Sequence, residues 1–183
     1  MGDQMTSDEI VMMVAGLIVA GSETTALGGM VAIMTLLEHP EVVDAVKADR
    51  TLVPKAVLEI IRFGLGGPGA LPRYALADFE VGGKDIRRGQ MLMLSFGGAN
   101  RDPGYFEHPN RFDLTRDQSN LLTFGFGAHH CLGMHLAKAE LGAIVNAVCD
   151  FVPTDAQIWP DLIEFEPLCT FPRPVAFPID FGS

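Results

Sequence analysis

Cysteine is scarce in this chain: three in 183 residues, at Cys131, Cys149 and Cys169. An odd, sparse set builds no disulfide framework and suits a reducing, cytoplasmic compartment. Positive charge is also scarce. Thirteen Lys and Arg face 23 Asp and Glu, for a net charge of −10. The only adjacent basic pair is Arg87–Arg88, too short to displace counterions from a phosphate backbone, so a nucleic-acid partner is not expected. The N-terminus has no basic leader, since Asp3, Asp8 and Glu9 stand where one would be, and no secretory signal is read there. No internal repeat is visible.

What the chain has in quantity is apolar residues, 48% of the total, with a mean hydropathy of +0.25. That is greasy for a free domain of this length and raises the prospect of an apolar face meant for a partner. One long apolar stretch runs from Ile10 to Leu37, broken at its centre by Ser22-Glu23-Thr24-Thr25. A mid-span acid argues against a bilayer span, so membrane insertion is not expected and the stretch reads as a buried helix. Thr6 and Glu9 stand in capping-box spacing at its start, and Glu38-His39-Pro40 ends it.

Short helices are predicted from Pro40 to about Lys47 and from Val53 to Phe63, with Pro54 in the first turn. A glycine-rich loop follows from Gly64 to Gly69. Residues 73–96 alternate around two turn signals and predict two or three strands. Ala99 to Ser119 predicts a long irregular segment. Helical spacing returns from Leu132 to about Phe151, and Glu164 to Phe181 reads as an edge hairpin.

Residues 124–133 read FGFGAHHCLG. Cys131 stands where a glycine-rich turn hands over to a helix, and a helix N-terminus stabilises a thiolate. Gly125, Gly127 and Gly133 remove side chains around the sulfur, so the backbone can approach something large and flat. Three chemistries are open to such a thiolate. A nucleophile would need an oriented base, and neighbouring His130 is poorly placed for that. A zinc site could recruit His129, His130 and His135, although a second ligand cluster is missing. A haem ligand is the third. Cys149 and Cys169 read as small buried hydrophobes.

The pattern Phe124-x-x-Gly127-x-His129-x-Cys131-x-Gly133 resembles the haem-binding loop of the cytochrome P-450 family, the haem-thiolate monooxygenases. Three weaker motifs stand in the matching order. Ala20-Gly21-Ser22-Glu23-Thr24-Thr25 resembles the family's distal-helix motif. Glu59-Ile60-Ile61-Arg62 with Pro109-Asn110-Arg111-Phe112 resembles its buried Glu-Arg-Arg triad, and Leu71-Pro72-Arg73 its propionate arginine. Residues 99–103, and the FDLTR run after Arg111, resemble bacterial members.

The resemblance implies a mainly α fold with small antiparallel β elements, an incomplete cytochrome P-450 fold running from the distal helix to the C-terminus. It implies haem b (iron protoporphyrin IX) with Cys131 as the iron ligand, His129 and Arg73 at propionates, and Phe124 screening the thiolate. Gly127 and Gly133 shape the loop, and Ala20 and Gly21 leave room above the haem. Thr24, by opening the helical ladder, and Glu23, as a buried-looking acid, are implied to relay protons during oxygen activation. Glu59, Arg62 and Arg111 are implied to be a structural triad locking the cysteine loop, and residues 65–71 to line the substrate pocket.

The activity implied is insertion of oxygen into a small organic substrate, with electrons from a ferredoxin- or flavoprotein-type partner. The match spans all 183 residues but only the C-terminal half of a typical member, with Met1 just ahead of the distal helix. The expectation is therefore a C-terminal haem-binding portion, residues 1–183, with the N-terminal half absent. One flank of the distal helix would then face water, free-standing stability would be weak, haem would be held loosely, and the chain would self-associate or seek a complementary N-terminal half. Two other readings stay open: a non-catalytic truncated remnant, and a metal-binding or interaction module unrelated to haem.

Overall fold

A computed structural model describes residues 4–65, 70–166 and 174–182. The first element, α1 (Ser7–Glu38), starts at the capping box. Thr6 Oγ1 accepts the Glu9 amide at 3.3 Å, and Glu9 Oε2 accepts the Thr6 amide at 2.7 Å. His39 caps its C-terminus and Pro40 opens α2 (Pro40–Ala48), as proline can at a first helical position. A 3-10 turn (Arg50–Leu52) leads into α3 (Val53–Phe63).

The expectation of a buried α1 holds only for its C-terminal half. Gly28, Gly29, Ala32, Thr35 and Leu36 are buried, whereas residues 7–24 are exposed on every side, Met12 at 71% and Ile18 at 64%. The exposure is wider than the single wet flank expected, because no described segment packs on the first four turns. By length and composition alone α1 could cross a membrane.

Four strands follow in place of two or three. β1 (Ala70–Tyr74) pairs antiparallel with β4 (Met91–Ser95), from Ala70 opposite Ser95 to Tyr74 opposite Met91. Inside that pair, β2 (Phe79–Val81) and β3 (Lys84–Ile86) form a hairpin closed by Gly82 and Gly83, both at positive φ. The Pro in β1 and the glycine run before it obscure that strand in the sequence. The first glycine of that run, Gly64, caps α3; residues 66–69 lie outside the described residues.

Ser95 then caps a helical turn, α4 (Phe96–Asn100), hidden in the sequence by two glycines. Residues 101–126 are irregular, which meets the expectation for 99–119 except at Ala99 and Asn100, the end of α4. α5 (Met134–Phe151) closes the core with Leu141, Val145, Val148 and Cys149 on one face. Cys149 is buried, and burial pushes its thiol up; Cys169 lies outside the described residues. In the tail, β6 (Glu164–Phe165) pairs antiparallel with β7 (Pro174–Ala176), as expected of a hairpin; residues 167–173 lie outside the described residues. A second pair, β5 (Gln157–Ile158) with β8 (Ile179–Asp180), encloses it.

The core joins α1, α2, α3 and α5 around Leu36, Val46, Ile60, Ile61 and Val145. Gly28 and Gly29 let α5 come close to α1. A Cβ on Gly29 would sit 2.9 Å from Ile144 Cδ1, and one on Gly28 3.5 Å from Leu141 Cδ2. Further along, Leu36 of α1 and Val148 of α5 line one small cavity. Contacts therefore ascend together on both helices, so α1 and α5 run in the same general direction. The segment Ala20–Thr24 lies at the end where α5 begins.

Candidate functional site

The glycine-rich loop is closed on itself by backbone bonds. Gly125 N–H donates to Leu122 O at 2.8 Å, His130 N–H to Gly127 O at 3.0 Å, and Cys131 N–H to Phe124 O at 2.8 Å. Gly125 at φ 74° and Gly127 at φ 77° make these reversals, in a region that disfavours side chains. Gly133 is the N-cap of α5, two residues past Cys131, which places the thiol by the unpaired amides of a helix start. Cys131 is exposed, and so are apolar side chains of the same loop and the start of α5: Phe126 at 88%, Leu132 at 85% and Leu136 at 64%. A Cβ on Gly127 would meet nothing within 4 Å, and one on Gly133 only Cys131 Sγ at 4.0 Å.

His129, His130 and His135 are exposed, and among the described residues no three His, Cys, Asp or Glu side chains converge. The donor set is thus one soft sulfur on an open, greasy ledge. Such a ledge fits a flat apolar group that carries its own metal and needs a single protein ligand, as haem does.

Beneath this loop lies a buried charge network. Glu59 and Arg62 are 0% exposed. Arg62 grips Glu59 bidentately, Nε to Oε2 at 2.8 Å and Nη2 to Oε1 at 2.7 Å. Its remaining donors reach the carbonyls of Asn100 at 3.0 Å, Pro109 at 2.8 Å and Arg111 at 3.1 Å. Glu59 also accepts from Asp113 N at 3.0 Å, Gln118 Nε2 at 3.1 Å and Arg116 Nε at 3.3 Å.

The third arginine is therefore Arg116, a correction to the expected Arg111. Arg111 turns its side chain to solvent and offers only its carbonyl. The turn at His108, the one non-glycine residue at positive φ among those described, sets up this reversal. Arg116 also ties down the carbonyls of Glu107, His108 and Arg111.

Asn100 and Gln118 were not anticipated as network members. Asn100, 1% exposed, donates to Thr123 Oγ1 at 2.5 Å and accepts from Leu122 N at 3.2 Å. It links Arg62 to the residues just ahead of Phe124. Its place inside the residue 99–103 motif is the sequence signal that could have marked it. Gln118 carries no such signal.

Burial pushes the Glu59 carboxyl up, but hydrogen bonds from Arg62 and Gln118 and the Arg62 charge outweigh it and hold the group below the usual carboxylate range. A carboxyl lowered in the folded state contributes stability above its unfolded value of 4.5, and this is lost as pH falls through the folded value. Denaturant midpoints measured from pH 7 downward should hold to about pH 5 and then fall. A midpoint independent of pH below 4.5 would remove Glu59 from that role.

On α1, Thr24 Oγ1 donates to Ala20 O and Ser22 Oγ to Ile18 O, both at 2.6 Å. The helix stays regular from Ser7 to Glu38, so the expected opening of its ladder at Thr24 is corrected: the hydroxyl shares the Ala20 carbonyl without displacing the backbone bond. Glu23 is exposed, not buried, since no described segment covers that turn. A Cβ on Gly21 would meet nothing within 4 Å, so the space beside Ala20 and Gly21 is open. Arg73 is exposed on β1 and donates to the Pro72 carbonyl at 2.9 Å, the one hydrogen bond of its side chain among the described residues.

The family model described as "Cytochrome P450" matches residues 1–149. A curated relative, "Vitamin D3 dihydroxylase" of Streptomyces griseolus, is 42% identical over 151 residues, which are 82% of this chain and 37% of that protein. Among solved structures, the cytochrome P450 CYP109Q5 of Chondromyces apiculatus aligns over 97% of this chain and 46% of its own, at 30% identity and a TM-score of 0.88. The LnmA cytochrome P450 hydroxylase of Streptomyces atroolivaceus does so at 35% identity and 0.86, with the same coverage. The chain belongs to the cytochrome P450 family. It spans less than half the length of these relatives.

Proposed function

We propose that this chain is the C-terminal haem-binding portion of a cytochrome P450 domain, in which Cys131 would be the protein's ligand to the iron of haem b. The observation that carries the reading is the exposed Cys131 on a closed glycine loop at the start of α5. When bound, the haem supplies the iron at which dioxygen is activated with two electrons. Gly127 and Gly133 keep the approach to the sulfur clear, Phe124 backs the loop, and His129 and Arg73 would hold the propionates. Ala20 and Gly21, at the same end of the α1–α5 pair, would leave room for dioxygen and substrate. Thr24 holds a proton at Oγ1 that it can release from the Ala20 carbonyl, and solvent-exposed Glu23 next to it replenishes that proton.

The reaction we assign is oxygen insertion into a small organic substrate. Two relatives, the Streptomyces griseolus dihydroxylase and the LnmA hydroxylase, support it. Electrons would come from a ferredoxin- or flavoprotein-type partner in the cytoplasm. A second reading, haem binding without catalysis, is favoured by the open N-terminal half of α1: a site walled on one side cannot exclude water.

The test is the absorption spectrum of the reduced chain under carbon monoxide after haem addition. A thiolate-type Soret shift is expected, and no Soret band at all would defeat the assignment. In a catalytically competent form, Thr24→Ala should release peroxide in place of product, by about tenfold or more in coupling ratio. Unchanged coupling would leave Thr24 with its helix back-bond alone. The uncovered face of α1 predicts self-association of the isolated chain, read by gel filtration with light scattering. A monomer that unfolds cooperatively and keeps its haem would contradict that.

A further inference from the structure

Lys138 is in the second turn of α5, seven residues past Cys131, and its ammonium lies over the Phe124 ring, 5.7 Å from the centroid. A cation within about 6 Å of an aromatic centroid is held by the ring quadrupole. The helix offers Lys138 no carboxylate. Met134 and His135 precede it at helical contact spacing and Leu141 and Gly142 follow, so none of the four neighbours is acidic. In a chain with 23 acids and 13 bases, Lys138 has no ion-pair partner among the described residues, and its ammonium faces the Phe124 ring instead. Phe124 in turn connects directly to the ligand loop, because its carbonyl accepts the Cys131 amide at 2.8 Å.

We propose that Lys138 is a positioning and charge-setting residue for the Cys131 thiolate: stacked on Phe124, it fixes that ring against the ligand loop and holds a positive charge on the ring whose own carbonyl bonds the Cys131 amide. This rests on the assignment of Cys131 as haem ligand. A cation close to an anionic donor stabilises negative charge on the sulfur, so less density passes to the iron and the reduced state is favoured. The uncharged Lys138→Met, which keeps most of the stem, should therefore lower the midpoint potential.

The experiment is spectroelectrochemical titration of the haem-loaded full chain, without any redox partner, for wild type, Lys138→Met, Lys138→Arg, Phe124→Leu and the Phe124→Leu/Lys138→Met pair. Lys138→Met is expected to shift the one-electron equilibrium toward the oxidised state about threefold, or ~28 mV at 59 mV per tenfold. Lys138→Arg should restore most of it. In the Phe124→Leu background the same change should have little further effect, because the ring that seats the charge is gone. Proton NMR of the haem-free chain reads the contact separately: ring-current upfield shift of the Lys138 ε-methylene should disappear in Phe124→Leu.

An unchanged potential in Lys138→Met overturns the proposal, as does a shift of equal size with and without Phe124. Loss confined to the rate of partner-driven reduction, at constant potential, would make Lys138 a docking residue and overturns it too. A chain that takes up no haem defeats the underlying assignment first, and the tuning with it. A loaded chain indifferent to Lys138 defeats this proposal alone.

Discussion

Cys131→Ala removes the thiolate-type Soret shift of the reduced carbon monoxide complex completely, while folding stability changes by no more than about 0.5 kcal/mol. The spectral effect is all-or-none because one atom supplies it. Among the described residues no cluster of His, Cys, Asp and Glu stands ready to replace the sulfur. The stability effect is small because Cys131 is exposed and its bond to Phe124 O uses the backbone amide, which alanine keeps. Cys149→Ala is the internal control. That thiol is buried against α2, with Sγ 4.0 Å from Val43 O, so its loss should destabilise the core and leave the spectrum alone. A Soret shift that survives Cys131→Ala would remove this residue from the metal.

Glu59→Ala is expected to be the most destabilising change in this network, lowering the urea midpoint most. It leaves the fully buried Arg62 guanidinium without its carboxylate and strips the acceptor from Asp113 N, Arg116 and Gln118. Breaking a buried ion pair from one side costs about 3–5 kcal/mol. A domain has roughly 5–15 kcal/mol in hand, and this one exposes several apolar turns of α1. Arg111→Ala should cost at most about 0.5 kcal/mol, because that side chain is in solvent. Arg116→Ala, with a side chain 9% exposed, belongs between the two. Urea midpoints for the three variants give the order directly. Equal effects for Glu59→Ala and Arg111→Ala would return Arg111 to the network and displace Arg116.

The exchange of Arg111 for Arg116 shows where linear reading stops. Both arginines belong to matching motifs five residues apart, and both could reach an acid in a loop of unspecified path. The loop's turn at His108 and its bonds back to Arg62 decide which guanidinium faces inward. Asn100 is similar. An asparagine in a polar segment looks like a turn residue until the fold brings Leu122 and Thr123 to its side-chain amide. Glu23 erred in the other direction. An apolar sequence neighbourhood suggested burial, but burial depends on what packs outside the helix.

The amino-acid order alone determined the local and the chemical: the Thr6 capping box, the helices from Pro40 and Val53, the glycine reversals around Cys131, and the family of the chain. Those follow from interactions within a few residues, or from the side-chain types themselves. Tertiary structure alone decided which arginine completes the Glu59 network, that Thr24 back-bonds within an unbroken helix, that Lys138 sits on Phe124, and that α1 is buried only from Gly28 onward. Each of these depends on a distant segment arriving, or not arriving, at a given surface, and a hydrophobic run carries no record of what will cover it.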